Sequence, residues 1–174
     1  MRLLRATHLV ILARYIGPGM LTWVEDVVEK WMGLTINREK TSICNLRKDG
    51  DSLDFLGYTF RYKRSMYDSG QPYLSVEPSK KACFRQRESV RELVNAQRTY
   101  VPIAELINRV NRQVGGWKNY FNHFHHGVQF QRMNYFLCQR VVKHLKRRSQ
   151  RPVRPPNGVT WYGFVYNNLG LIRL

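Results

Sequence analysis

The 174-residue sequence has little cysteine and no long apolar run. Its three cysteines, Cys44, Cys83 and Cys138, are widely spaced and form no Cys-x-x-Cys pair, which argues against a zinc knuckle. Free thiols are typical of a reduced compartment, so we expect a cytoplasmic protein. The longest apolar run, residues 9–13, is far shorter than the roughly 20 residues that span a bilayer, and no membrane partner is expected.

Acidic residues are absent from the last 69 residues of the chain. Residues 1–105 contain all 12 Asp and Glu residues, whereas residues 106–174 contain 12 Lys and Arg residues and no carboxylate side chain. Such a segment cannot neutralise its own charge with internal ion pairs, and the whole chain carries a formal net charge of +17. A surface of this kind attracts polyanions, so nucleic acid is the expected partner, and a merely solvated basic face is the alternative.

The order of apolar residues and turn formers predicts an α+β chain that changes character near Pro78. Residues 9–12, Leu-Val-Ile-Leu, predict a short buried strand, and a helix is expected within residues 18–33. Residues 34–77 predict a small β region, because their apolar runs are separated by turns that contain glycine or proline.

The segment after Pro78 predicts an all-helical bundle of three or four helices. Helical spacing begins near Ser79 and Pro102, a long helix follows, and Gly115-Gly116 is expected to interrupt the helix that starts at Pro102. The aromatic tail at 161–174 is expected to fold back on the bundle. The expected core residues are Phe84, Val90, Leu93, Val94, Ile103, Leu106, Ile107, Val110, Met133, Phe136, Leu137, Val141 and Leu145.

Four motifs in order resemble group II intron-encoded reverse transcriptases, also called maturases. Residues 33–41, Gly-Leu-Thr-Ile-Asn-Arg-Glu-Lys-Thr, resemble a late palm motif of that family, and residues 55–58, Phe-Leu-Gly-Tyr, resemble the segment that follows it. Residues 102–121, which end in Gly-Gly-Trp-Lys-Asn-Tyr-Phe, look like the maturase-specific (X, or thumb) domain. The proline-rich stretch 151–156 resembles the end of these proteins. The resemblance implies a palm remnant in residues 1–77 and a helical maturase domain in residues 78–174.

The N-terminus departs from the family at the position that matters for catalysis. The resemblance places Arg5-Ala6-Thr7-His8 where the family carries a catalytic Tyr-Ala-Asp-Asp segment. Polymerases use clustered carboxylates to hold two Mg²⁺ ions, and neither Thr7 nor His8 is a suitable Mg²⁺ ligand. We therefore expect no catalytic residue and no cofactor in this chain. Mg²⁺ is expected only for the intact polymerase of the family.

The expected RNA contacts are basic and amide side chains of the helical domain. They are Arg109, Arg112, Lys118, Asn119, Arg140, Lys143, Lys146, Arg147, Arg148, Arg151 and Arg154. The spacing of Arg140, Lys143 and Arg147 places these three side chains on one helical face that could follow a phosphate backbone.

Two further groups of residues have open interpretations. Phe55, Leu56, Gly57 and Tyr58 resemble the family's primer grip, but they are also expected simply to form a hairpin turn. Aromatic residues at 117–124 serve either as core or as a platform for bases, and the spacing favours core for Trp117 and Phe121. The histidines are expected to be neutral hydrogen-bonding groups rather than metal ligands; they are His123, His125, His126 and His144.

Together these observations predict an RNA-binding, maturase-like fragment that binds structured group II intron RNA and assists its folding and splicing. Two alternatives stay open at this point. The chain is a subunit of a split reverse transcriptase that pairs with a separate fragment, or it is a degraded fragment without function.

Overall fold

Two units follow one another along the chain, Met1–Cys44 and Asn45–Leu174. The computed structural model describes residues 9–48, 50–65, 70–149 and 153–174. A small antiparallel sheet precedes a mostly helical segment, so the predicted α+β class is confirmed.

The first unit contains a helix where the sequence predicts one. Helix α1 spans Met20–Asp26 and continues as a π-helical turn, Val27–Trp31. Gly33 ends it with a φ of +64°, a conformation that glycine adopts without steric penalty. Arg38 then pairs with Glu29 at 3.2 Å, which ties the following segment back to the helix.

The predicted strand at residues 9–12 is wrong. The structure has no strand there, and Leu9 and Leu12 are 62% and 80% exposed. An apolar run becomes a buried strand only when a neighbouring strand pairs with its backbone, and no described strand does so. The β region is also shorter than predicted, because its first described strand begins at Leu53.

The sheet is a meander of three strands. Strand β1 spans Leu53–Phe55, β2 spans Tyr58–Arg64 and β3 spans Pro72–Pro78, in the order β1-β2-β3. Because Phe55 pairs with Tyr58, the β1–β2 connection is a two-residue turn. Both turn residues have positive φ, +49° for Leu56 and +83° for Gly57, as a type I′ turn requires.

Replacing Leu56 by asparagine should stabilise the protein. A Cβ-bearing residue at positive φ costs about 1–2 kcal/mol, and asparagine tolerates this region better than leucine. We expect Leu56→Asn to raise the free energy of unfolding by about 1 kcal/mol in urea titrations. Leu56→Ala is the control, because it removes the same apolar side chain without adding the short polar side chain that lets asparagine form local hydrogen bonds at positive φ. Equal stability of the asparagine and alanine variants would contradict the argument.

Three helices form the main body of the second unit. Helix α2 spans Lys80–Leu93, α3 spans Ile103–Phe121 and α4 spans Gly127–Arg147. The Ser79 side chain caps α2 by accepting a hydrogen bond from the Ala82 N–H at 3.1 Å. A 3₁₀ turn, Ala96–Arg98, connects α2 to α3.

The predicted break at Gly115-Gly116 is wrong, since α3 runs through both glycines. A glycine within a helix costs only about 0.5–1 kcal/mol. The buried face of α3, including Val110, Val114 and Phe121, offsets that cost by packing on both sides of the pair.

The core lies between these helices, and most of the predicted core residues occupy it. Met133, Leu137, Val141 and Leu145 of α4 are fully buried, at a spacing of four residues. The prediction that Phe84 lies in the core is wrong, because its side chain is 60% exposed. The buried face of α2 instead follows Cys83, Gln86 and Val90, and Phe84 lies about 100° away from Cys83 around the helix.

The tail folds back on the bundle, as predicted. A short helix, α5 (Trp161–Gly163), continues as a π-helical turn, Phe164–Asn168. Val165, Tyr166 and Leu171 are buried members of the same core as α3 and α4.

Two asparagine side chains hold the backbone of the tail. Asn111 of α3 donates to the Gly170 carbonyl at 2.8 Å and accepts from the Ile172 N–H at 2.9 Å. Asn134 of α4 accepts from the Leu174 N–H at 3.0 Å and donates to its carbonyl at 3.2 Å. We call this pair of residues the asparagine clasp.

The sheet and the helices belong to the same unit. Pro78 ends β3, Ser79 caps α2, and the Ser79 N–H donates to the Gly57 carbonyl at 2.8 Å. The division into residues 1–77 and 78–174 rests on family motifs and stays a prediction.

Candidate nucleic-acid interface

The clearest basic surface is one face of α4. Arg140, Lys143 and Arg147 line a small cleft together with His144 and the segment 94–96. Lys143 and Arg147 are exposed, and no described acidic side chain pairs with either. Arg140 is more constrained, because its guanidinium donates to the Val94 carbonyl at 3.2 Å. We call Arg140, Lys143 and Arg147 the α4 basic face.

The last cations of α4 also have partners within the protein. The Lys146 ammonium lies 5.4 Å from the centroid of the Trp161 ring, and Arg148 donates to the Val101 carbonyl. These contacts hold the tail and the α2–α3 connection against α4. Arg154 is exposed, whereas Arg151 lies outside the described residues.

Of the predicted RNA-binding residues on α3, two already bind other groups of the protein and two are exposed. Arg109 pairs with Glu105, one helical turn earlier. Lys118 donates to the Arg173 carbonyl at 2.7 Å. Arg112 and Asn119 are exposed. The structure therefore gives Lys143, Arg147 and Arg112 more freedom to bind an external anion than Arg109 or Lys118.

His144 is buried beneath the α4 basic face, with only 4% of its surface exposed. Burial lowers its pKa below 6.5, and the Arg148 charge acts in the same direction, although a hydrogen bond to the Asn95 backbone opposes them. Its Nε2 has no hydrogen-bond partner among the described residues. His144 is therefore neutral at pH 7 and adds no charge to this surface.

The protein should lose stability in mild acid because of His144. The unfolded chain takes up a proton near pH 6.5, whereas the folded chain resists it until a lower pH. The contribution of His144 to the free energy of unfolding is therefore fully present above the unfolded pKa of about 6.5. It is lost as the pH falls through the folded pKa, by at most about 1.4 kcal/mol per pH unit. His144→Asn should flatten this dependence in urea unfolding between pH 7.5 and 5. Parallel curves for both proteins would show that His144 is not responsible.

His125 and His126 contact the sheet or an aromatic ring, whereas His123 is exposed. The backbone N–H of His125 donates to the Val76 carbonyl at 2.9 Å, and the ring Nδ1 of His125 accepts from the Val76 backbone N–H at 3.3 Å. The His126 ring lies 4.2 Å from that of Phe130. Within the part of the chain that the structure describes, no three His, Cys, Asp or Glu residues form a group that could hold a metal ion.

The primer-grip-like turn is held by the end of α3. The Tyr58 hydroxyl donates to the Tyr120 carbonyl, and the Tyr120 hydroxyl donates to the Leu56 carbonyl at 2.8 Å. The Tyr58 and Phe121 ring centroids are 4.8 Å apart. A Cβ on Gly57 would lie 3.4 Å from the Phe121 ring, an ordinary van der Waals contact, so the turn favours glycine for its positive φ rather than for space. These contacts give Phe55–Tyr58 a structural role.

The aromatic residues near the end of α3 differ in exposure. Phe121 is buried and Trp117 is partly buried against the core, as the core interpretation expects. Tyr120 and Phe124 are about half exposed.

A second basic surface was missed by the sequence prediction. A groove of about 530 Å³ runs between α2 and α4, and we call it the α2–α4 groove. It is lined by Arg87, Arg91, Gln131, Arg132, Tyr135 and Phe136, among others. The spacing of Arg87 and Arg91 indicates one shared helical face. Nothing in the sequence shows that this face meets Arg132 and Tyr135, more than 40 residues later.

Residues 84–158 match the family model of the group II intron maturase-specific domain. The match covers most of α2, all of α3 and α4, and both basic surfaces. Residues 84–158 are therefore similar to the maturase-specific domain of that family. The prediction that the chain carries the C-terminal part of a group II intron maturase is confirmed for these residues. No curated protein matches the chain.

The motifs at 33–41 and 55–58 lie outside the matched residues, so their assignment to a palm remnant stays a prediction. None of the described helices combines the length and apolar character needed to cross a membrane.

Proposed function

We propose that this protein binds structured group II intron RNA and assists its folding for splicing. The observation that carries the proposal is a maturase-specific domain at residues 84–158 whose helix α4 exposes Lys143 and Arg147 without acidic partners in the described chain. The buried Cys83 and Cys138 form no disulfide, which is compatible with action in the reduced cytoplasm.

The proposed contact is mainly with phosphates and RNA shape. Side chains three and four residues apart on a helix are neighbours about 5–6 Å apart, so the α4 basic face offers consecutive positive charges to an RNA backbone. The deep major groove of A-form RNA hides its base edges, and proteins recognise such helices through phosphates and 2′-hydroxyls. The α4 basic face suits this kind of recognition.

We propose no polymerase activity for the chain alone. The family's two-metal chemistry needs clustered carboxylates, whereas the resemblance places Arg5-Ala6-Thr7-His8 at the positions of the family's catalytic segment. The positions that the resemblance assigns to the catalytic segment, Thr7 and His8, lie outside the described residues. The protein with a primed RNA template, Mg²⁺ and deoxynucleotides should therefore give no extended primer.

A second candidate function is that of one subunit in a two-chain reverse transcriptase. The first unit exposes large apolar side chains, including Leu12 (80%), Tyr15 (79%), Trp23 (64%) and Trp31 (82%). A partner polypeptide would remove such a surface from water. Co-purification with a separately expressed fingers–palm fragment, together with recovery of polymerase activity, would support this function. A monomer that does not bind the fragment would argue against this function. Cooperative melting of that monomer would argue against a degraded chain without function.

The main test is binding to a group II intron RNA at two salt concentrations, with an unrelated structured RNA and duplex DNA as competitors. We expect intron RNA to be preferred at both concentrations. If about six phosphates are contacted in a single-stranded region, the slope of log affinity against log salt is roughly −4. A slope near zero would contradict the electrostatic argument. Equal binding of all three nucleic acids would contradict a maturase role.

A further inference from the structure

We propose that the α2–α4 groove binds an unpaired RNA nucleotide, with its base stacked on Tyr135 and its phosphate held by Arg87 and Arg132. The inference rests on the proposed RNA-binding function and names a second site for it. This site is separate from the α4 basic face, whose residues line a different cleft.

Tyr135 provides an aromatic face that the fold leaves open. Its side chain is 68% exposed, and it has no hydrogen bond or ring contact with any described residue. The neighbouring Phe136 is different, because the guanidinium groups of Arg87 and Arg91 lie 5.8 and 5.3 Å from its ring centroid. Tyr135 is thus the ring in this groove that an incoming base can cover.

Positive charge surrounds that ring. Arg91 is neutralised by Glu88, whereas Arg87 and Arg132 have no ion-pair partner in the described chain. The Arg87 Nε is buried without a hydrogen-bond partner, so one N–H of this guanidinium is unsatisfied. Because this Nε is closed to solvent, a phosphate would instead bind the terminal nitrogens of the half-buried Arg87 side chain, since guanidinium groups bind phosphates with directed hydrogen bonds.

The combination favours an unpaired nucleotide over a duplex. Bases within a helix already stack on their neighbours, whereas the bases of loops and bulges are free to stack on tyrosine. A volume of about 530 Å³ is typical of sites for single small ligands. The Gln131 amide adds a donor and an acceptor at the same groove.

The test measures binding of the full chain to a short unstructured RNA and to an RNA duplex. Tyr135→Ala should weaken binding of the unstructured RNA roughly 5- to 150-fold, the range observed when base-stacking aromatics are removed, and leave duplex binding within twofold. Tyr135→Phe keeps the ring and should bind like the native protein. Arg87→Gln with Arg132→Gln removes the contact to one phosphate and should reduce the log–log salt slope by about 0.7, whereas Tyr135→Ala should not change it.

Each contrary result overturns the proposal. Native-like binding by Tyr135→Ala, or equal losses for Tyr135→Phe, would remove the stacking role. Equal competition by polyglutamate would show that the groove selects charge alone. Because Tyr135 is exposed, both Tyr135 variants should melt at the native temperature, and a lower melting temperature would reveal a structural role instead.

This outcome is separable from that of the proposed function. The unstructured RNA contains no intron sequence, so a lack of intron preference leaves the Tyr135 result interpretable. Conversely, normal intron binding with no binding of the unstructured RNA would reject the groove alone.

Discussion

Replacing Lys143 and Arg147 with glutamine will weaken binding of structured RNA by about 25- to 60-fold at 0.1 M salt. Each lost phosphate contact reduces the log–log salt slope by about 0.7–0.9, so two contacts account for this range at that concentration. Both side chains are exposed and lack acidic partners among the described residues, so the loss reports on binding rather than folding. Filter binding or fluorescence anisotropy across a salt series measures both the affinity and the slope.

A charge-matched control is available in the first unit. Lys30 pairs with Asp26 at 2.8 Å, and Arg38 pairs with Glu29 at 3.2 Å. Lys30→Gln with Arg38→Gln lowers the net charge by the same two units, but it removes cations that already have intramolecular partners. We expect a loss of less than threefold. Equal losses in the two double variants would mean that net charge, and not the α4 basic face, determines binding.

Replacing Leu171 with alanine will destabilise the helical bundle by about 2–4 kcal/mol. Leu171 is 3% exposed and belongs to the same core as Leu137 and Val141, although it lies in the tail. Truncating it leaves a cavity that the surrounding helices can only partly fill. For a chain of this size the thermal midpoint should fall by roughly 5–15 °C in a scan followed by circular dichroism.

Val128→Ala is the control for this experiment. Val128 lies on α4 but is 57% exposed, so its truncation should change the free energy of unfolding by less than about 0.5 kcal/mol. Equal midpoints for Leu171→Ala and the native protein would show that the tail does not contribute to the core in solution.

The hydrogen bonds of the tail add to its packing. Burial raises the pKa of Tyr166 well above its usual value, so its hydroxyl stays protonated and donates to the Asn134 carbonyl at 2.8 Å. The core contact and this hydrogen bond lie on the same short segment, which makes the tail an integral part of the bundle.

The sequence predicts best the elements whose apolar spacing is regular. The four-residue spacing from Met133 to Leu145 predicts the buried face of α4, and the structure confirms it. The same reasoning fails at residues 9–12, because a strand depends on a neighbour that its own sequence does not show. It fails again at Gly115-Gly116, because tertiary packing overrides the low helix propensity of glycine.

For the candidate interface, the sequence identifies where cations lie but not which of them remain available. Lys118 and Arg148 carry a positive charge as Lys143 does, yet each donates to a backbone carbonyl from a distant part of the chain. These hydrogen bonds depend on how the helices pack against one another. The α2–α4 groove has the same origin, since it exists only when two helices far apart in sequence lie side by side.

The asparagine clasp has a consequence for how this architecture varies among related sequences. Asn111 and Asn134 bind the main chain of the tail, so their hydrogen bonds do not depend on particular side chains of the tail. Exposed tail positions are then free to diverge, whereas neither asparagine can be replaced without loss of two hydrogen bonds. Asparagines at these two positions would therefore indicate a docked tail even in chains whose tails have no sequence similarity to this one.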